Sequence, residues 1–308
     1  MGEPAQPTAT GSTEREVASQ PACWRRAASL AERVAGVLPS AGERVAVAGC
    51  GTSWFMAQSY AAAREESGHG ETDAFPASEM PLQRRYDRTV VLSRSGTTTE
   101  VLQLLTRLNG KVPTVAITAG AGTPIAAAAD EMVALDFADE ESVVQTRFAT
   151  STLALLRTHL GQDIAPVADA AEGVLAEPLP AGMTEARQFT FLGTGWTRGL
   201  ASEAALKLRE AAGLWTECYP AMEYRHGPIA VTGPGSVVWM FGTPPAGLAD
   251  DVAAVGGDFW HTDLDPMAEL VRVHRIAAAT ARSRGLDPDR PRNLTRSVVL
   301  NNPDGRER

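Results

Sequence analysis

An apolar strand that runs into a G-x-G turn and then an Ala-rich helix occurs twice in this chain. Arg44 to Ala48 leads into Gly49-Cys50-Gly51-Thr52-Ser53, and a helical pattern continues from Trp54 to about Glu66. Gln188 to Leu192 leads into Gly193-Thr194-Gly195-Trp196-Thr197, with a helix from Gly199 to Ala212. Strand, tight turn and helix in this order form the repeating piece of a parallel sheet wound with helices on both faces. Two such starts predict an internal duplication, with two α/β units in one chain. The Ala-, Pro- and Gly-rich stretch from Pro166 to Met183 holds the boundary, so the units run over residues 14–175 and 176–308. Residues 1–13, rich in Gly, Pro, Ser and Thr near the start, read as a disordered tail.

The remaining elements follow from periodicity. A helix is predicted after Pro21, through Trp24 to Val37, with Leu30, Val34 and Leu38 at helical spacing. Further strands are predicted at Arg88 to Leu92, Pro113 to Thr118, Glu131 to Leu135 and Ser236 to Met240, and a helix at Val101 to Leu108.

Composition excludes several classes. With 308 residues, 44% of them hydrophobic, the chain can bury a sizeable core. A net charge of −9 argues against nucleic acid, which calls for a basic stripe. No apolar run reaches the ~20 residues a membrane span needs, and no secretory signal opens the chain. Cys23, Cys50 and Cys218 have no CxxC spacing, and the histidines at 69, 159, 226, 261 and 274 have no ligand spacing. A cytoplasmic protein without metal or cofactor is the expectation. Of its 28 basic residues, only Lys111 and Lys207 are lysines, a bias that suggests a GC-rich genome. A lysine retained against it marks a place for a compact, deprotonatable cation, which draws attention to Lys207.

Two segments carry chemistry. The first is Ser93-Arg94-Ser95-Gly96-Thr97-Thr98-Thr99 between a strand and a helix. Hydroxyls, a glycine that permits close approach and N–H groups at a helix start make an anion cradle, although simple helix capping uses the same residue types. Gly51, Thr52 and Ser53 stand at the neighbouring strand end, where parallel sheets bind ligands. No Walker lysine is present, so a small phosphorylated metabolite is favoured over a nucleoside triphosphate. The second half lacks such a loop: Phe241-Gly242-Thr243-Pro244-Pro245 follows its next strand.

The second segment is Glu203, Lys207 and Glu210, spaced to share one helix face, followed by Glu223-Tyr224-Arg225-His226-Gly227-Pro228. A carboxylate base, a cation and a histidine can move a proton between adjacent carbons. The same spacing also suits a solvated face laced with ion pairs.

Taken together, Gly49-Cys-Gly-Thr-Ser, Ser93-x-Ser-Gly-x-Thr, Ala204-Ala-Leu-Lys-Leu-Arg-Glu210 and Glu223-x-x-His-Gly-Pro228 resemble the sugar isomerase (SIS) domains. The likeness is to the isomerase half of glucosamine-6-phosphate synthase and its stand-alone deaminase relatives. Glu16-Val-x-x-Gln-Pro21 and Asp289-Arg-Pro-Arg-Asn-Leu294 fit the same family. The resemblance implies two tandem SIS domains, each doubly wound and flavodoxin-like. It implies that Gly51, Thr52, Ser53, Ser93, Ser95 and Thr98 hold a phosphate, with Arg94 nearby, and that Val144 to Arg147 meet the sugar hydroxyls. Glu210 would be the base between C1 and C2, Lys207 would favour the enediolate, and Glu203 would contact the sugar or orient the site. His226 would open the ring, donated across the interface of a homodimer.

The chain departs from that pattern at Thr146-Arg147-Phe148, in the substrate loop, and at Arg296, where the synthase has an imine-forming lysine. A guanidinium cannot serve as that nucleophile. No glutaminase domain or N-terminal cysteine nucleophile is present. The resemblance therefore implies isomerisation or deamination of a hexosamine 6-phosphate. Dehydration of an N-acetylated substrate, by loss of the C3 hydroxyl, is the alternative. A non-catalytic sugar-phosphate sensor is the alternative of another class.

Overall fold

A computed structural model describes residues 11–300. Three short helices open it: α1 (Ser12–Ala18), α2 (Gln20–Ala28) and α3 (Ala31–Val34). The single helix expected to Val37 is therefore broken between Ala28 and Ala31. Residues 1–10 of the expected tail lie outside the described residues. Ser12 and Thr13, at its end, are instead the first turn of α1, and the Asp289 carboxylate accepts both of their N–H groups at 2.9 and 2.7 Å. That contact ties the two ends of the chain together and caps the helix.

The first sheet contains β1 (Val45–Gly49), β2 (Thr72–Pro76), β3 (Arg88–Ser93), β4 (Thr114–Thr118) and β5 (Glu131–Ala134). They lie in the order β2-β1-β3-β4-β5, every pairing parallel. The crossovers include α4 (Thr52–Glu66), α5 (Thr99–Leu108) and α6 (Ile125–Ala128). Two helices, α7 (Arg147–His159) and α8 (Ala165–Ala176), lead to the second sheet. It contains β6 (Gln188–Gly193), β7 (Thr216–Pro220), β8 (Ser236–Phe241) and β9 (Asp258–Trp260), in the order β7-β6-β8-β9 and again parallel. Its helices are α9 (Thr197–Ala212), α10 (Leu248–Ala254) and the long α11 (Pro266–Ser283).

The two sheets repeat one arrangement: in each, the first strand lies between the second and the third. Register sharpens the match, since Gly49 pairs with Pro76 and Gly193 with Pro220. Both prolines end an edge strand, where a missing N–H costs no ladder bond. These edge strands, TDAFP and TECYP, escape the sequence pattern because they are half-buried and lack an apolar run.

Alternation along the strands divides the interior into layers. Val45, Val47, Val90, Leu92, Val115 and Ile117 face one large core shared with Phe189, Phe191, Trp239 and Phe241 of the second sheet. Ala46, Ala48, Val91 and Ala116 face a smaller cluster under α5, while Leu192, Val238 and Met240 face another under α10. The expected boundary at residue 176 coincides with the end of α8, yet the hydrophobic core runs across it without interruption.

Candidate active site

Helix α9 is built from good helix formers and stops at Gly213, whose φ of +62° closes it in the left-handed conformation. Its polar residues do not form a solvated face. The side chains of Glu203 and Lys207 are each 1% exposed, and that of Glu210 is 20% exposed. The Lys207 ammonium donates to Glu210 Oε2 at 2.5 Å and to Thr52 Oγ1 at 2.9 Å, and Glu203 Oε1 lies 3.4 Å away. Burial acts to lower the Lys207 pKa, but the Glu203 and Glu210 carboxylates outweigh it and hold the value above the ordinary one. Burial pushes Glu203 up to about 7, against the pull of Lys207 and with the help of Glu210's charge. Among the described residues neither Glu203 oxygen makes a well-formed hydrogen bond, although Thr52 and Lys207 lie near enough to pull its pKa down. Helix α9 thus carries a protonated lysine between a carboxyl poised near neutrality and a carboxylate at the edge of solvent. This arrangement suits proton transfer.

The serine- and threonine-rich loop lies where expected, at the carboxyl end of β3. Gly96, at φ +62°, has no room for a side chain: a Cβ there would fall 2.0 Å from the Thr123 hydroxyl. A small cavity of about 30 Å³ opens beside the loop, and Ser53, Ser93, Arg94, Ser95, Thr98 and Arg296 are among its lining residues. Cys50 also lines it; burial pushes its thiol up to about 11, so it stays protonated. Gly51 and Thr52 are not part of the lining. The Thr52 hydroxyl is turned to Lys207 and accepts from its ammonium at 2.9 Å.

The loop's N–H groups are less free than the sequence suggests. Gly96 N–H donates to Ser93 Oγ, Thr97 N–H to Ser95 Oγ and Thr99 N–H to the Val298 carbonyl. Ser297 stands among the hydroxyls of Ser95, Thr97 and Thr98 at 3.0, 3.0 and 3.4 Å. The end of the described chain therefore lies over the anion loop and supplies acceptors to its donors.

Three further residues singled out in the sequence, Arg94, Val144 and Arg296, have partners or packing within the fold. Arg94 is buried, and its guanidinium donates to the carbonyls of Ser142, Val143 and Arg296 at 3.0, 3.2 and 2.7 Å. It holds the loop of residues 142–143 and the segment at Arg296 together. The Val144 side chain is in the interior, and the adjacent Gln145 lines the cavity instead, its Oε1 shielded and unbonded. Gln145 lies within the segment Val144 to Arg147 singled out in the sequence. Arg296 lines the cavity, but its guanidinium donates to the Glu140 carbonyl at 3.1 Å and pairs with Asp139.

The substrate loop is also held from beneath. The Glu16 carboxylate accepts from the Glu141 N–H at 2.6 Å and from the Ser142 N–H and hydroxyl. Glu140 accepts from the Thr146 hydroxyl and from the N–H groups of Thr146 and Arg147. The motif residues Glu16 and Asp289 thus act as struts for the loop and for the chain ends. His226 is exposed in a 3₁₀ turn (Glu223–His226), its side chain without a hydrogen bond among the described residues.

With this geometry in view, the likeness to known proteins is specific. A SIS domain model matches residues 38–160. Over 268 residues the chain is 28% identical to the glutamine–fructose-6-phosphate aminotransferase (isomerizing) of Pyrobaculum aerophilum, covering 71% of this chain and 44% of that protein. Over 336 residues it is 26% identical to the same-named protein of Methanothermobacter thermautotrophicus, covering 93% and 57%. The chain spans about half the length of the curated relatives it matches. Among solved structures, a glucosamine-6-phosphate deaminase from Thermotoga maritima superposes with a TM-score of 0.79 and 24% identity, over 94% of this chain and 100% of its own. A tagatose-6-phosphate ketose/aldose isomerase from Escherichia coli gives 0.77 and 18%, over 97% and 100%. At such identities the two structures establish a shared fold. The residues matched by the SIS domain model, 38–160, carry β1 through α7 and the anion loop.

Proposed function

We propose that this chain is a phosphosugar enzyme acting on a hexosamine 6-phosphate. Both halves are SIS units; the first binds the phosphate and the second supplies the proton transfer. The phosphate is received by the hydroxyls of Ser53, Ser93, Ser95 and Thr98, with Gln145 placed for a sugar hydroxyl. Glu210, the partly open member of the trio, removes the C2 proton of the opened sugar and returns it at C1. The resulting C2 imine is hydrolysed by water to ketose 6-phosphate and ammonia. The observation that carries this reading is the buried Lys207, bonded at once to Glu210 and to Thr52 beside the hydroxyl-lined cavity.

Ring opening is assigned to His226 of a second copy of the chain. The exposed Met222 and Val231 flank the exposed histidine in sequence, and a homodimer contact there would bury them.

The test is a proton NMR time course in deuterated water with glucosamine 6-phosphate and, separately, N-acetylglucosamine 6-phosphate. Fructose 6-phosphate and ammonia, with deuterium at C1, are expected from the first sugar. A vinylic signal from the acetylated sugar would replace this reading with dehydration. Binding of both without exchange at C2 would leave only a sugar-phosphate sensor.

A further inference from the structure

Thr52 and Ser53 are adjacent at the start of α4, yet their hydroxyls serve different neighbours. Ser53 lines the cavity of the anion loop. The Thr52 hydroxyl is buried and accepts the Lys207 ammonium at 2.9 Å, joining residues 155 positions apart in the chain. Helices α4 and α9 come close enough there for Gly199 to touch the α4 backbone: a Cβ on Gly199 would lie 2.2 Å from the Phe55 carbonyl oxygen.

A buried ammonium needs acceptors for its three N–H groups. Lys207 gives one to Glu210 and one to Thr52, and the third has only Glu203 at 3.4 Å. Thr52 is thus the one neutral acceptor in the cluster. Without it, the ammonium would be free to rotate between two carboxylates of different exposure.

We propose that Thr52 is a positioning residue, which fixes the Lys207 ammonium between Glu203 and Glu210 and mechanically links the cavity-lining start of α4 to the acid–base helix. The inference deepens the proposed function and rests on it for the meaning of the link. The bond itself is testable without any turnover.

Other charges face Lys207 besides those of its own helix. Glu140, from the loop after β5, contributes to holding the ammonium charged. His274 of α11 feels the lysine charge and, chiefly through burial, is held down at about 3, so it is neutral. Glu203 also senses the Thr52 hydroxyl, so its titration is read alongside that of Lys207.

The chain offers a clean probe because Lys111 and Lys207 are its only lysines. Labelling with ¹⁵N-lysine gives two ammonium signals, and Lys111→Arg assigns them. In Thr52→Val the Lys207 titration midpoint is expected to fall by about one pH unit, the size of a lost hydrogen bond to a charged group. Its ammonium protons should exchange faster with water, and Thr52→Ser should restore both. Thr52→Ala supplies the same comparison if the valine variant does not fold. Affinity for inorganic phosphate is expected to stay within about twofold. A Lys207 signal that does not move in the valine and alanine variants would overturn the proposal. So would an unmoved signal with a tenfold loss of phosphate affinity, which would make Thr52 a phosphate ligand. Absence of C2 exchange in the wild-type protein would overturn the proposed reaction but leave the lysine result standing.

Discussion

Ser297 places its hydroxyl 3.0 Å from that of Ser95, so the end of the described chain closes over a loop formed some two hundred residues earlier. Ser95 and Thr97 both donate to Ser297, and Thr99 N–H donates to Val298. These are the donors an anion would use. Ser297→Ala is expected to release two hydroxyl protons and tighten inorganic phosphate binding by roughly fivefold, the equivalent of about 1 kcal/mol. Calorimetric titration with phosphate measures it; weaker binding would mean that Ser297 is itself a phosphate ligand.

Arg94 joins three carbonyls from two segments and lies 3.8 Å from the buried Glu140 carboxylate. Arg94→Met should leave that carboxylate without its cation and cost about 3 kcal/mol. Amide hydrogen exchange should rise first over residues 139–147 and 296–300. A loss of phosphate binding with unchanged stability would contradict the strut role.

Burial holds Glu203 at about 7 in the folded protein, whereas in the unfolded chain it ionises in the ordinary carboxylate range. Between those values the folded state keeps a proton that the unfolded state has lost. Stability from this group is therefore full at low pH and declines as pH rises through that window. Denaturant titrations should show wild-type stability falling relative to Glu203→Gln from about pH 5 to about pH 8. Parallel curves would remove the perturbed carboxyl from the account.

Glu210→Gln keeps the shape of the trio and removes the base. Deuterium exchange at C2 of glucosamine 6-phosphate should drop by about 10²- to 10⁴-fold, while phosphate affinity is retained. Exchange at the wild-type rate would move the base to another residue.

Gly199 faces the Phe55 carbonyl oxygen and the Ser59 hydroxyl so closely that any Cβ would overlap both. Gly199→Ala should cost about 1–3 kcal/mol or more through overpacking at the α4–α9 contact. Thermal melting checks the stability, and the Lys207 ammonium signal checks whether the separation reaches Thr52. An unchanged melting temperature would mean that the helices have slack.

The central strands and the two G-x-G turns were legible because a buried parallel strand is a short apolar run ending at a glycine, a purely local signal. The edge strands β2 and β7 were not, since their burial comes from neighbours on one side only. The candidate site divides in the same way. The expected placement of Ser53, Ser93, Ser95 and Thr98 follows from hydroxyls at a strand end, and the structure puts them around one cavity. Motif position alone did not indicate the partners and packing that Arg94 and Val144 have within the fold. Arg94 found three carbonyls within reach, and Val144 an apolar interior.

By itself the sequence determined what depends on spacing: two wound units, a hydroxyl-rich loop, and three polar residues on one helix face. It could not say whether that face was wet or dry, because ion pairs on a solvated helix use the same spacing as a buried acid–base cluster. Tertiary structure decided it by laying α4 and α11 against α9, which excludes water from Glu203 and Lys207. With water excluded, each charge must find its partner among whatever the fold brings near. For Lys207, Glu210 comes from its own helix, and Thr52 from one that no local pattern connects to it.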